Sequence, residues 1–144
     1  MPRIQLQFPE EARFSATIPI RITDLNYGAH VGNDTILTLI HEARVQYLHH
    51  HGFEELNVAG AGLIMSDAAI EFKTQLFYGS VLKVYVAATD FARVSFDLYY
   101  KLTTEASGKE TVIALAKTGM VCFDYAAKKV VAVPEAAVKK LRHR

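Results

Sequence analysis

The sequence lacks the features that mark secreted, membrane-spanning and nucleic-acid-binding proteins. Its 144 residues include one cysteine, so no intrachain disulfide can form and a reducing compartment is indicated. Sixteen basic residues balance 15 acidic ones to a net charge of +1, which leaves no broad basic surface for nucleic acid. No apolar run approaches the roughly 18 residues of a membrane span. Residues 1–11 lack the apolar stretch of a signal peptide. We expect a cytoplasmic protein with neither a nucleic-acid nor a membrane partner.

What is present is an ordinary globular composition. Hydrophobic residues make up 51% of the chain and charged residues 22%, as in folded domains. The length suits one domain, since domains most often have about 100–150 residues. No repeat, low-complexity tract or flexible linker divides the chain, so residues 1–144 are interpreted as a single domain.

Hydrophobic periodicity predicts one long helix among strands. Residues 13–23 alternate as a half-buried strand does, with Ile22 on the buried side and Pro19 marking an irregularity or a free edge. Residues 34–50 have apolar residues at helical spacing on most sides. Strand-like runs follow at 63–74, 81–89, 94–102 and 111–125, and Pro134 opens a short C-terminal helix.

This order of elements predicts an α+β fold. Hairpins between the last strands indicate one antiparallel sheet, and the helix is the only apolar element long enough to cover its face. We therefore expect a curved antiparallel β-sheet wrapped around a long central α-helix. The apolar faces of the last strand also suggest that two chains pair strand to strand.

Residues 24–33, the polar connector before the helix, carry the candidate chemistry. Asp24 is the only carboxylate there, and a carboxylate can act as base or nucleophile. His30 can act as a general base near neutral pH, and the Asn26 amide can orient water or polarise a carbonyl. Each residue also has a structural explanation: Asp24 can accept loop backbone donors, Asn26 can form a turn, and His30 can bond across the loop.

The start of the helix is a candidate oxyanion site. The first turn of a helix leaves N–H groups without intrahelical partners, and they favour negative charge. The amides from Val31 to Asp34 lie at this point, and Gly28 and Gly32 would let the backbone approach a substrate closely. Asn33 is expected to be the helix N-cap.

The connector and helix resemble a known family. The pattern reads Asp24-Leu-Asn26-Tyr-Gly-Ala-His30-Val-Gly-Asn33, followed by Glu42-Ala43-Arg44. It is similar to the 4-hydroxybenzoyl-CoA thioesterase-like family, whose members show Asp-x-Asp, then Gly-His-x-x-Asn, then Glu-x-Ala-Arg. There are two departures: Asn26 stands where the family often has a catalytic Asp, and Ala29 stands where it has Gly.

The resemblance implies a hotdog fold and hydrolysis of acyl-CoA to free acid and CoA. It implies no cofactor, because coenzyme A arrives with the substrate. It also implies homodimers or homotetramers with active sites between subunits. Glu42, on the polar stripe of the helix, is then a candidate for a partner's site; the alternative is an ion pair on the helix surface, for example with Arg44 of a neighbouring subunit. Tyr27, Tyr47 and the apolar row of the helix are then expected to line the acyl slot.

Other interpretations stay open at this point. A hydratase or dehydratase acting on acyl thioesters is one, although its motif is shorter and contains a proline that this chain lacks. A non-catalytic acyl-CoA-binding protein is another, because Asn26 cannot act as a base. Asp67 and Glu71 are alternative carboxylates. No metal site is predicted, since the adjacent side chains of residues 49–51 diverge on a helix, and Cys122 is expected to be an inert core thiol.

Overall fold

The computed structural model describes residues 3–9 and 12–142 and contains one six-stranded antiparallel sheet. The strands run in the order β1-β3-β4-β5-β2, and β6 pairs with the end of β5. Their bounds are β1 Phe14–Pro19, β2 Gly62–Phe72, β3 Val81–Thr89, β4 Ser95–Ala106, β5 Lys109–Asp124 and β6 Lys129–Val130. The helices are a 3₁₀ turn at Ile22–Asp24, α1 at Asn33–His50 and α2 at Glu135–Arg142.

Helix α1 is the centre of the core. Its apolar row is buried, and Ile40, Ala43 and Leu48 have no exposed surface. The facing strand residues Phe96, Leu98 and others of β4 are equally buried, because alternation puts every second side chain on the helix side. The predicted α+β architecture, a curved antiparallel sheet around a long helix, is confirmed.

The first strand is shorter than its alternation predicts. It ends at Pro19, and Ile22, which we expected in the core, is 66% exposed within the 3₁₀ turn. Pro19 has no N–H to donate to the ladder, and one backbone bond follows it, from the Ile20 N–H to the Ser80 carbonyl at 3.0 Å. Pro19 does stand on an edge strand, as the sequence suggested.

The last long strand is not an edge. Strand β5 lies between β4 and β2 from Ala114 to Val121, so the suggestion that copies pair through this strand is wrong for that stretch. The edges of the sheet are β1 and β2 instead. The two-residue strand β6 was not predicted, and the hairpin at Ser107 and Gly108 was, with both residues at positive φ as a tight hairpin requires.

No helix within residues 3–9 and 12–142 has the length and apolar character needed to cross a membrane.

Candidate active site

A cleft of about 340 Å³ lies at the amino-terminal end of α1. One wall is the start of the helix, with His30, Val31, Asn33 and Ile36. The opposite wall is the segment 72–76 that follows β2, and Ile113 of β5 lies between the two walls. The cleft thus combines an imidazole and an amide side chain with an apolar interior.

Backbone hydrogen bonds fix both walls. The Val31 amide donates to the Leu76 carbonyl at 2.8 Å, which ties the helix start to segment 72–76. The Lys73 and Thr74 amides both donate to the Ile113 carbonyl, at 2.9 and 3.1 Å. The shape of the cleft is therefore set by the sheet and the helix rather than by a free loop.

The connector 24–33 folds as a tight loop. The Asn26 amide donates to the His30 carbonyl at 2.8 Å, and the Asn26 carbonyl accepts from the Ala29 amide at 3.1 Å. The Asn26 side-chain oxygen accepts from the Gly28 amide at 2.8 Å, an Asx-turn of the kind expected for this residue. One acceptor position of Asn26 is therefore committed to the loop.

His30 is held in one tautomer. Its Nδ1 lies 3.1 Å from the Val31 carbonyl oxygen. Because a carbonyl can only accept, Nδ1 must carry the proton, and the neutral ring then has its free lone pair on Nε2. His30 is half-buried and lines the cleft, which is the position that a general base needs.

The start of the helix differs from the sequence-based prediction. The N-cap is Gly32, not Asn33, and no side chain caps the helix. The Val31 amide, predicted to face an oxyanion, donates to the Leu76 carbonyl instead. Among the described residues, no acceptor takes the amides of residues 32–35. The bare donors of the helix therefore begin one residue later than expected.

Asp24 serves the turn that precedes the loop. Its carboxylate accepts from the Arg21 backbone N–H at 2.8 Å and lies 3.4 Å from the Arg21 guanidinium. The side chain is buried within this turn and does not line the cleft at the start of α1. The geometry therefore gives no support to Asp24 as the base, and favours the structural explanation.

Ala29 occupies a backbone conformation that favours glycine. Its φ is +63°, in the left-handed region, where Cβ is strained. This explains why the resembling family has glycine at the position before the histidine.

We expect Ala29→Gly to stabilise the protein by about 0.5–1 kcal/mol, because relief of strain outweighs the added freedom of the unfolded chain. Urea unfolding of Ala29→Gly and of Ala132→Gly checks this. Ala132 is exposed and has no positive φ, so the control should lose stability. Equal losses for the two variants would contradict the strain argument.

The structure places Glu42 and the two tyrosines away from this cleft. Glu42 is exposed, accepts from Gln46 at 2.7 Å and lines a separate groove between α1 and β1. Tyr27 is fully exposed on the loop. Tyr47 is buried in the core, about 21 Å along the helix axis from Asn33 at 1.5 Å per residue, and does not line this cleft. Gly28 and Gly32 lie on the loop beside Asn26.

The alternative carboxylates of β2 are already engaged. Asp67 accepts from Lys117 at 3.0 Å and from the Gly119 amide at 2.9 Å. The hydrogen bond from Lys117 is the main reason that the pKa of Asp67 lies below its usual range. Glu71 accepts from the Leu6 amide, and this bond, with Lys73, lowers its pKa as well. Carboxylates stabilised in their charged form are weak bases.

Two further sequence predictions concern reactive side chains. Cys122 is fully buried, and burial raises the pKa of its thiol to about 11, which confirms an inert core thiol. His50 and His51 contact each other edge to face with ring centroids 5.0 Å apart. Across the part of the chain that the structure describes, no three metal-ligating side chains converge.

Sequence reasoning missed the second wall of the cleft. Residues 72–74 were interpreted only as the end of a strand, and residues 75 and 76 were given no role. The available signal was the loss of alternation after Phe72, where Lys73, Thr74 and Gln75 follow one another. That they face the helix start depends on the pairing of β2 with β5, which no local pattern specifies.

Comparisons with known proteins identify the family and the fold. The family model of the thioesterase-like superfamily matches residues 20–141. The chain belongs to the thioesterase-like superfamily. No curated protein sequence matches it.

Solved structures with the same fold cover this superfamily member almost fully. A mutant 4-hydroxybenzoyl-CoA thioesterase in complex with 4-hydroxybenzoyl-CoA is 17% identical, with a TM-score of 0.80 over 89% of this chain and 97% of that one. A 1,4-dihydroxy-2-naphthoyl-CoA thioesterase from Synechocystis is 22% identical, with a TM-score of 0.78 over 91% and 98%. A hypothetical protein from Staphylococcus aureus in complex with CoA is 18% identical, with a TM-score of 0.79 over 90% and 82%. The likeness confirms the hotdog fold.

Proposed function

We propose that the protein hydrolyses acyl-CoA thioesters in the cleft at the start of α1. The observation that carries this proposal is the meeting of unpaired helix amides with His30 beside an apolar interior. Membership of the thioesterase-like superfamily supports the reaction class. Similar structures that are named as acyl-CoA thioesterases, or contain CoA, support the substrate class.

The helix start stabilises the oxyanion. When water adds to the thioester carbonyl, the oxygen gains negative charge. The amides of residues 32–35 and the positive end of the α1 dipole favour that charge. These donors are held in place by the hydrogen bond between Val31 and Leu76, so they need little rearrangement during the reaction.

His30 moves the proton. Its Nε2 takes a proton from water as the water oxygen bonds to the carbonyl carbon. The imidazolium then returns that proton to the sulfur as the carbon–sulfur bond breaks, so free acid and CoA leave together. The Val31 carbonyl holds Nδ1–H throughout and stabilises the charged ring. Asn33, at the cleft wall, orients the water, and Asn26 shapes the loop that carries His30.

The second part of the proposal is a cytoplasmic homodimer or homotetramer. Strand β2 is an exposed edge, and Ile64 and Met65 on it are 37% and 39% exposed. Pairing two such edges would cover their unpaired backbone groups. Phe72, which lines the cleft, is 49% exposed, and Tyr27 and Phe77 are exposed as well; a partner subunit that covers these side chains would bring Tyr27 into a substrate site. The molar mass measured by light scattering coupled to size-exclusion chromatography tests whether the protein is a dimer or a tetramer.

The experiment that tests the function is thiol release from a panel of acyl-CoAs by the purified protein. We expect one thiol to be released per acid formed, at an initial rate proportional to the protein concentration. Tight binding of CoA thioesters without release would instead support the non-catalytic protein that Asn26 suggests. Hydration of an enoyl-CoA without thiol release would support a hydratase. Either result would overturn the proposal.

A further inference from the structure

The interior of the candidate active-site cleft is closed. Apart from Phe72, which is 49% exposed at the surface, its apolar lining consists of Val31, Ile36, Leu76 and Ile113, each at most 4% exposed. The residues behind this lining are fully buried. This holds for Ile40, one helical turn after Ile36, and for Ala114, next to Ile113. Leu102, the cross-strand neighbour of Ala114, is also fully buried. No tunnel between α1 and the sheet continues from this cleft within the described residues.

The floor of the cleft is made by the helix and the sheet of one chain. The walls are fixed by the bonds from Val31 to Leu76 and from residues 73 and 74 to Ile113. A long acyl chain would therefore have to displace core side chains, which is unfavourable in a close-packed interior. The volume of about 340 Å³ lies near the lower end of ligand pockets, about 300–1,000 Å³.

The cationic side chain that lines the cleft has a counter-charge. Lys73, the one cationic side chain that lines this cleft, forms an ion pair with Glu71 at 3.1 Å. His30 and Asn33 are at the helix start, where the carbonyl would bind. No unpaired charge lies among the apolar residues that would receive the acyl group, so a second carboxylate on the acyl group would have no partner there.

We propose that the substrates are CoA thioesters of short, uncharged acyl groups, the size of a butanoyl to hexanoyl chain, and that Ile113 and Ile36 set the length limit. This inference rests on the proposed function and names its substrate class. Within the cleft, each buried methylene should raise kcat/KM by about fourfold. Beyond the floor, further methylenes add nothing or reduce the rate.

The test measures kcat/KM for straight-chain acyl-CoAs from acetyl to palmitoyl, below their micelle concentrations. We expect a rise from acetyl to butanoyl or hexanoyl, and at least a tenfold fall by lauroyl. Activity that rises steadily to palmitoyl would overturn the length limit and leave the proposed function intact. Absence of hydrolysis across the whole series would overturn the function itself.

Substitutions at Ile113 and Ile36 test whether these residues set the limit on acyl length. Ile113→Ala deepens the floor and should move the optimum at least two carbons longer, whereas Ile113→Phe fills it and should move the optimum shorter. Ile4→Ala is the matched control, since Ile4 is a 53% exposed isoleucine outside the cleft, and its profile should match the parent's. If Ile113→Ala does not fold, Ile113→Phe and Ile36→Val carry the test. An unchanged profile in every folded variant would exclude this floor as the determinant.

Discussion

Replacing His30 with alanine is expected to lower kcat for CoA-thioester hydrolysis by about 10²–10⁴-fold, the usual loss when a general acid–base group is removed. The reason is geometric. The Val31 carbonyl fixes the proton on Nδ1, so Nε2 is the basic atom of the ring. The unpaired amides of residues 32–35 remain in the variant, so part of the rate enhancement should survive.

The measurement is steady-state thiol release, with protein folding verified by circular dichroism. His49→Ala is the matched control: His49 is an exposed histidine in the last turn of the same helix, and its kcat should stay within twofold. Added imidazole should restore part of the activity of His30→Ala and none to Asp24→Asn. Full activity in His30→Ala, with loss of activity in a folded Asp24→Asn, would move the base to Asp24.

Replacing Glu55 with alanine is expected to destabilise the fold by about 3 kcal/mol, because it leaves a buried guanidinium without its counter-charge. The Arg44 side chain is 7% exposed, and its Nε lies 3.6 Å from a Glu55 carboxylate oxygen. This Nε is buried and has no hydrogen-bond partner among the described residues. The guanidinium also donates to the Tyr100 hydroxyl at 3.3 Å, and that hydroxyl bonds Thr118 at 2.7 Å.

A double-mutant cycle checks this account of the Arg44–Glu55 pair. Urea unfolding of Glu55→Ala, Arg44→Met and the double variant should show strong coupling. The double variant should be more stable than Glu55→Ala alone, since an apolar side chain replaces the stranded charge. His41→Ala serves as the control, because His41 contacts the same carboxylate at 2.7 Å from an exposed position and should cost less than about 1 kcal/mol. Additive losses would contradict the buried-charge explanation.

The central helix and the sheet were predictable because their signals are local. Ile36, Ile40, Ala43 and Tyr47 recur at helical spacing, and all four are buried. The alternating pattern of β4 and the turn at Gly108 were enough to predict the hairpin between β4 and β5. The 3₁₀ turn at residues 22–24 was missed because the apolar–polar alternation of the sequence continues through Ile22. In the structure the strand ends at Pro19, and the Asp24 carboxylate caps the turn that follows.

The candidate site was predictable only in part. The loop and the helix start were found because their residue types carry the chemistry. The opposite wall at 72–76 comes from a segment far along the chain and depends on strand register. Arg44 had a readable signal, since it follows Ile40 by four positions and precedes Tyr47 by three, on the buried side. Its partner Glu55 lies in a loop, where no periodicity indicates a contact.

The most direct test of the central claim is a crystal structure with a CoA analogue in which a methylene replaces the thioester sulfur. The predicted result is a carbonyl oxygen within about 3.1 Å of a backbone nitrogen among residues 32–35, with the acyl group against Ile36 and Ile113. A carbonyl bound away from the start of α1, with His30 and these amides facing only solvent, would contradict the account.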